Sequence, residues 1–139
     1  MAGIRLSPRS MKLSFDVLPK MVIHKNYNFT ATTAGSDEID GVTTVYIADA
    51  AGGPYFTLQR SFESKLPEPE DLYIEYGDQS SGSYGSLKNL TLTRRRVVAL
   101  VEGGISIQID LQIGDEEWND LEAGFEKLLE GLEPFIQRH

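Results

Sequence analysis

The chain contains no cysteine. Disulfides, thiolate nucleophiles and cysteine-held zinc or iron–sulfur sites are therefore excluded. Histidine is almost as scarce. His24 lies in a basic N-terminal stretch and His139 is the last residue, so neither a Ser-His-Asp arrangement nor a histidine metal cluster is expected. No stretch approaches the roughly 18 consecutive apolar residues of a membrane-spanning helix. Basic residues are also in the minority: 13 Lys and Arg stand against 21 Asp and Glu, a net charge of −8. That balance argues against nucleic acid and anionic membrane as partners and favours a basic protein, although moderate negative charge also serves solubility alone.

Two acidic or glycine-rich stretches lack the details that would give them chemistry. Asp37, Glu38, Asp40 and Gly41 miss the alternate oxygen ligands and closing glutamate of a calcium loop and read as a polar hairpin turn. Gly77 to Gly85 has neither the Lys-Ser/Thr ending of a phosphate loop nor a G-x-S-x-G elbow, and reads as a loop. Carboxylates such as Glu63, Glu75, Asp78 and Asp110 are abundant, but abundance alone singles out no acid/base pair. No cofactor, metal or catalytic residue is expected.

With 139 residues, 40% of them hydrophobic, the chain has the length and apolar content of one domain. Before Met21, Arg5, Arg9, Lys12 and Lys20 outnumber Asp16. No apolar core or cleavage-like site accompanies them. Residues 1–20 thus read as a basic extension, free to be disordered and dispensable if Met11 or Met21 is the true start, ahead of a domain at 21–139.

Between Val22 and Ile113, short runs rich in Val, Ile, Tyr, Phe and Thr alternate with turn-forming clusters, the pattern of successive strands. In Ile105 to Ile113 the isoleucines and Leu111 alternate with polar residues, giving one buried and one wet face. Val97 to Val101 precedes it through Glu102-Gly103-Gly104, whose glycines suit a tight hairpin. Leu87 is out of phase with Leu90 and Leu92, which points to a bulge near Lys88 or a later strand start. Arg94 to Arg96 then falls at a hairpin tip. Val42 to Ala48, Tyr55 to Phe62 and Leu72 to Tyr76 read as further strands, with the proline-bearing Leu66 to Asp71 as loop.

After Ile113 the period changes. Trp118, Leu121, Phe125, Leu128, Leu129 and Leu132 form a helical stripe, so Asp115 to Leu132 reads as an amphipathic helix capped at Gly114 or Asp115 and stopped by Gly131 and Pro134. The expected fold is α+β: about six or seven mostly antiparallel strands with this helix packed on them.

Within the strands, Arg60 shares a period-two face with Phe56, Leu58 and Phe62, which puts a guanidinium among apolar groups. Asp71, Glu75 or a tyrosine is expected to satisfy it as a structural ion pair or stack, with ligand contact as the alternative. Tyr55, Tyr73, Tyr76 and Tyr84 cluster nearby, and tyrosine is enriched at protein interfaces.

The stretch Tyr55-Phe56-Thr57-Leu58-Gln59-Arg60-Ser61, then Leu72-Tyr73-Ile74-Glu75, Ser83-Tyr84-Gly85, a leucine–threonine strand and a closing acidic helix, resembles the family called immunity protein 10. The resemblance spans roughly residues 22–132. It implies a small bacterial cytoplasmic protein, mostly β, that protects its producer by binding a cognate toxin, a basic one on grounds of charge. Tyr76, Asp78, Tyr84, Glu116, Glu117 and Asp120 are the expected partner-binding residues. A self-associating β module, a homodimer or a small-ligand binder, is the alternative without catalysis.

Overall fold

The computed structural model describes residues 11–14, 22–61 and 71–138. Two sheets and one helix share a single buried cluster that includes Leu13, Val45, Ile47, Phe56, Leu58, Ile74, Leu90, Ile107, Ile109, Trp118, Leu121 and Phe125. The α+β class is as expected, but the strands number more than six or seven and they divide between two sheets. Among the described residues no helix is long and apolar enough to cross a membrane.

The first sheet has six strands: β1 (Met11–Ser14), β2 (Lys25–Ala31), β8 (Leu87–Leu92), β9 (Arg96–Val101), β10 (Ile105–Leu111) and β11 (Ile136–Arg138), in the order β11-β1-β8-β9-β10-β2. β10 buries Ile107, Ile109 and Leu111 while Gln108 and Asp110 are exposed, following its sequence alternation. β9 and β10 are antiparallel neighbours, with Ile105 opposite Val101 across the three residues Glu102, Gly103 and Gly104. The register between β8 and β9 shifts between Leu87 and Asn89, placing the bulge at Lys88. β2 lies parallel to β10 at the far edge.

The expectation of an extension over residues 1–20 is corrected at β1. Met11 and Leu13 are buried, and β1 sits between β8 and β11, antiparallel to both. A four-residue strand with one lysine on its outer side carries too little periodicity to stand out from basic coil. Residues 1–10 and 15–21 lie outside the described residues.

The second sheet has five strands: β3 (Thr33–Ile39), β4 (Val42–Ala48), β5 (Tyr55–Ser61), β6 (Tyr73–Tyr76) and β7 (Asp78–Tyr84), in simple sequential order and antiparallel throughout. The chain enters it from the first sheet across Thr32, whose amide donates to Ala48 O at 3.0 Å. Asp40 and Gly41, both at positive φ (53° and 77°), make the β3–β4 turn. Asp78 to Ser83, expected as loop, is instead the body of edge strand β7. It is bulged against β6, and its run of polar residues and glycine hides it from any hydrophobic pattern. Phe62 and the proline-bearing stretch up to Glu70 fall outside the described residues.

Helix α1 (Asp115–Leu128) starts at Gly114, where Glu117 accepts the Gly114 amide and Gly114 O accepts the first intrahelical bond from Trp118. It ends earlier than Leu132. Leu129 caps it, and Gly131 at φ 88° turns the chain into a short 3-10 turn, Glu133–Phe135, and then β11. All six apolar stripe residues are buried. Gly124, outside that stripe, is the point of closest approach: a Cβ there would lie 2.3 Å from Ser36 Cβ and 3.2 Å from Val45 Cγ2. Arg94 fixes the other end. Its guanidinium donates to Ile113 O at 3.0 Å, pairs with Asp115 at 3.2 Å and lies 5.5 Å from the Trp118 ring. The arginine run at the hairpin tip thus anchors the helix, and Arg96 pairs across strands with Asp110 at 2.9 Å.

Candidate functional site

The five-stranded sheet turns one face inward and one outward, and β5 supplies both. Phe56, Leu58 and Arg60 are buried, while Tyr55, Thr57 and Gln59 alternate with them on the outer side. Strand register then assembles the outer face row by row. Thr44, Gln59, Tyr73 and Tyr84 lie side by side across β4 to β7, and Gly35, Tyr46, Thr57 and Glu75 lie side by side across β3 to β6.

Glu75 organises the centre of this face. Tyr55 Oη donates to its Oε2 in a short hydrogen bond, and Tyr73 Oη donates to its Oε1 at 2.6 Å. These two hydroxyls hold the Glu75 carboxyl below its ordinary range, Tyr55 first and Tyr73 second. The reciprocal effect falls on the tyrosines. Burial, followed by the bond to Glu75, pushes Tyr55 up to about 12, and the bond to Glu75, followed by burial, raises Tyr73. Glu75 is therefore an anionic acceptor at neutral pH. A general acid working there would need the opposite shift.

Tyr73 reaches Glu75 because Gly82 of β7 leaves room. A Cβ on Gly82 would fall 1.9 Å from Tyr73 Oη. The Tyr73 ring also meets Tyr84, with centroids 5.0 Å apart and planes at 56°, and Tyr84 is 71% exposed. At 39% exposure, Tyr46 is another large side chain presented to solvent. Gln59 Nε2 donates to Thr44 Oγ1 at 3.0 Å, fixing the polar floor between them.

Arg60 faces the other way. It is 4% exposed, and its Nη1 donates to Leu128 O at 2.7 Å and Glu130 O at 2.6 Å, the carbonyls at the C-terminus of α1. Burial lowers its pKa while Asp71, Glu130 and Glu133 oppose that shift, and the guanidinium stays charged. The expected pairing with Glu75 is corrected, because Leu58 is opposite Ile74 and Thr57 is opposite Glu75, which puts Arg60 and Glu75 on different faces. The helix carbonyls were not foreseeable from local sequence. Arg60 also borders an open depression of about 300 Å³ lined by Val42, Gln59, Ser61, Asp71, Tyr73 and Tyr84.

The six residues expected to bind a partner do not form one patch. Tyr84 is on the outer face. Tyr76 turns between the sheets against Tyr27, with ring centroids 5.5 Å apart, and burial raises its pKa. Asp78 makes a local turn, accepting from the Ser80 amide at 2.8 Å and from the Ser80 hydroxyl, which lowers its pKa. Glu116, Glu117 and Asp120 lie on α1 beside β3, the opposite edge of the sheet from β7. At about 4.8 Å per strand spacing, the two edges are about 19 Å apart.

Two of those helix acids also have internal work. Asp120 accepts the Ser36 amide at 3.0 Å and the Ser36 hydroxyl at 3.2 Å, and Glu117 accepts the Ala34 amide at 3.4 Å. They close the exposed edge of β3, which would otherwise present bare amides to a neighbouring chain. Glu122, which the sequence did not single out, is buried on the same helix. Among the described residues no three His, Asp or Glu side chains converge as a metal site would require.

No known family model matches the chain, and no curated protein matches it.

Proposed function

We propose that this protein is a cytoplasmic immunity protein that neutralises a cognate toxin by stoichiometric binding through the outer face of its five-stranded sheet. The observation that carries this is the ordered tyrosine surface: Tyr55 and Tyr73 tied to one carboxylate, with Tyr84 tilted against Tyr73 and largely exposed. Rigid tyrosines offer large contact area at small entropic cost, which is what hot spots of protein interfaces are made of. The net charge of −8 suits a basic toxin and would speed its capture. The resemblance of the β5, β6 and β7 sequences to immunity protein 10 points the same way.

Co-expression with the product of the adjacent gene tests this directly. Growth rescue and co-purification are expected, and the Tyr73→Ala/Tyr84→Ala double variant should lose both while remaining folded. Absence of rescue with every neighbour-encoded product would overturn the proposal.

A second reading, a small-ligand or self-associating module, draws on the depression beside Arg60 and Tyr84. Sedimentation of the purified protein as a dimer, with the tyrosine face protected from hydrogen exchange, would favour it.

A further inference from the structure

The chemistry of the outer face says what kind of side chain it is built to receive. Among the described residues Glu75 is engaged only by the two tyrosine hydroxyls, and the salt bridges of Arg94 with Asp115, Arg96 with Asp110, and Lys127 with Glu38 and Glu130 do not involve it. Each of its oxygens accepts one hydroxyl and retains a further acceptor position. Asp78, itself within electrostatic reach of Lys25, is also felt by both Glu75 and Tyr55. Beside Glu75, Tyr73 and Tyr84 meet at 5.0 Å, and 71% of Tyr84 is open to solvent.

A carboxylate fixed at the edge of two aromatic rings is a receptor for a cation: the rings attract it through their π faces and the carboxylate accepts its protons. Resting on the proposed toxin-binding role, we infer that Glu75, Tyr73 and Tyr84 together receive an arginine side chain of the basic partner. Arginine fits better than lysine. Its planar guanidinium stacks on Tyr84 while two of its N–H groups reach the remaining acceptor positions of Glu75, whereas an ammonium is a strongly hydrated point charge. The tyrosine hydroxyls prepare the site by keeping Glu75 charged and in place before the partner arrives.

The full chain titrated with the capped tripeptide acetyl-Gly-Arg-Gly-amide, and followed by NMR of the tyrosine rings, tests the assignment. Saturable shifts confined to Tyr73, Tyr84 and Tyr55 are expected, and replacing arginine by citrulline, its neutral isostere, should abolish them. Glu75→Gln should weaken binding about fivefold, the value of about 1 kcal/mol for a partly exposed ion pair. Tyr84→Ala should weaken it by a similar factor, and thermal melts would verify that both variants are folded. Absence of ring shifts, equal shifts with citrulline, equal affinity for the lysine tripeptide, or unchanged affinity in Glu75→Gln would each overturn the assignment. Because no toxin enters this experiment, its failure leaves the growth-rescue result standing, and a failed rescue leaves the arginine site standing.

Discussion

Phe56, Leu58 and Arg60 of β5 face the core and the end of α1, whereas Tyr55, Thr57 and Gln59, interleaved with them, face outward. The contrast extends to charge. Arg60, on the inner side, donates hydrogen bonds to helix carbonyls, and Glu75, on the outer side one strand away, accepts hydrogen bonds from tyrosine hydroxyls on its own face. Both groups are charged and both are hydrogen-bonded, yet Arg60 is bound to the end of the helix while Glu75 lies on the outward face. Their positions teach that a charged residue in a strand cannot be assigned a job from its type. Strand parity and what covers each face decide it.

If the two faces divide in this way, inner substitutions should act on stability and outer ones on binding. The largest effect is expected at Arg60. Arg60→Leu removes the donor to two buried or half-buried carbonyls and should cost about 3 kcal/mol in urea unfolding. A loss under about 1 kcal/mol would mean that the inner charge contributes no more to folding than an exposed one.

Gly124→Ala, also on the inner side, combines two effects of opposite sign. Helix propensity favours alanine by about 1 kcal/mol, but the added methyl would lie 2.3 Å from Ser36 Cβ. Overpacking of that degree should win, for a net loss of about 2 kcal/mol. A gain in stability would mean that helix and sheet separate without cost.

On the outer face, the pH dependence should report the tyrosine–glutamate cluster. A hydroxyl held at about 12 instead of its ordinary 10 contributes stability that is complete below pH 10 and is lost as pH rises toward 12, because the unfolded chain gives up that proton first. Glu75 has the opposite sign. Its lowered pKa adds stability above the ordinary carboxylate range, and this is lost as pH falls through its folded value. Spectrophotometric titration should show Tyr55 ionising well above the ordinary tyrosine value of 10, and Glu75→Gln should bring it earlier.

The smallest effect belongs to Glu116, which has no partner among the described residues. Glu116→Lys should change stability by less than about 0.5 kcal/mol and leave the proposed partner binding intact, since α1 borders the other edge of the sheet. Asp120→Asn, which disturbs the acceptor of two Ser36 groups, should cost about 1 kcal/mol.

Much of this architecture was legible from sequence where a hydrophobic period runs long enough. The isoleucine alternation of β10, the doubled glycines before it and the six-residue stripe of α1 all placed their elements, because one wet and one dry side leave a repeat in the chain. The strands that escaped notice lack such a repeat. β3 and β7 are edge strands made largely of Gly, Ser, Thr, Asp and Glu. β2 alternates asparagine with aromatics in a way that says nothing of a parallel neighbour. At the site, the tyrosine cluster was visible as composition and Asp71 as a charge near Arg60, but the helix carbonyls that Arg60 also binds were not. A bond to backbone carbonyls distant in sequence leaves no mark on residue identity. The internal contacts of the helix acids were hidden for a related reason: Glu117 and Asp120 look like solvated surface until β3 is placed beside them.

β1 carries a consequence for how the molecule is made. It is laid between β8 and β11, and β11 follows α1. While the chain is emerging from a ribosome, Met11 and Leu13 must therefore wait, unpaired, until β8 has been synthesised, and the other edge of β1 stays open until β11 follows α1. The β3 to β7 meander, joined by short sequential pairings, can close long before that. The tyrosine face is thus built on the part of the protein able to form first, and the first sheet on the part that forms last.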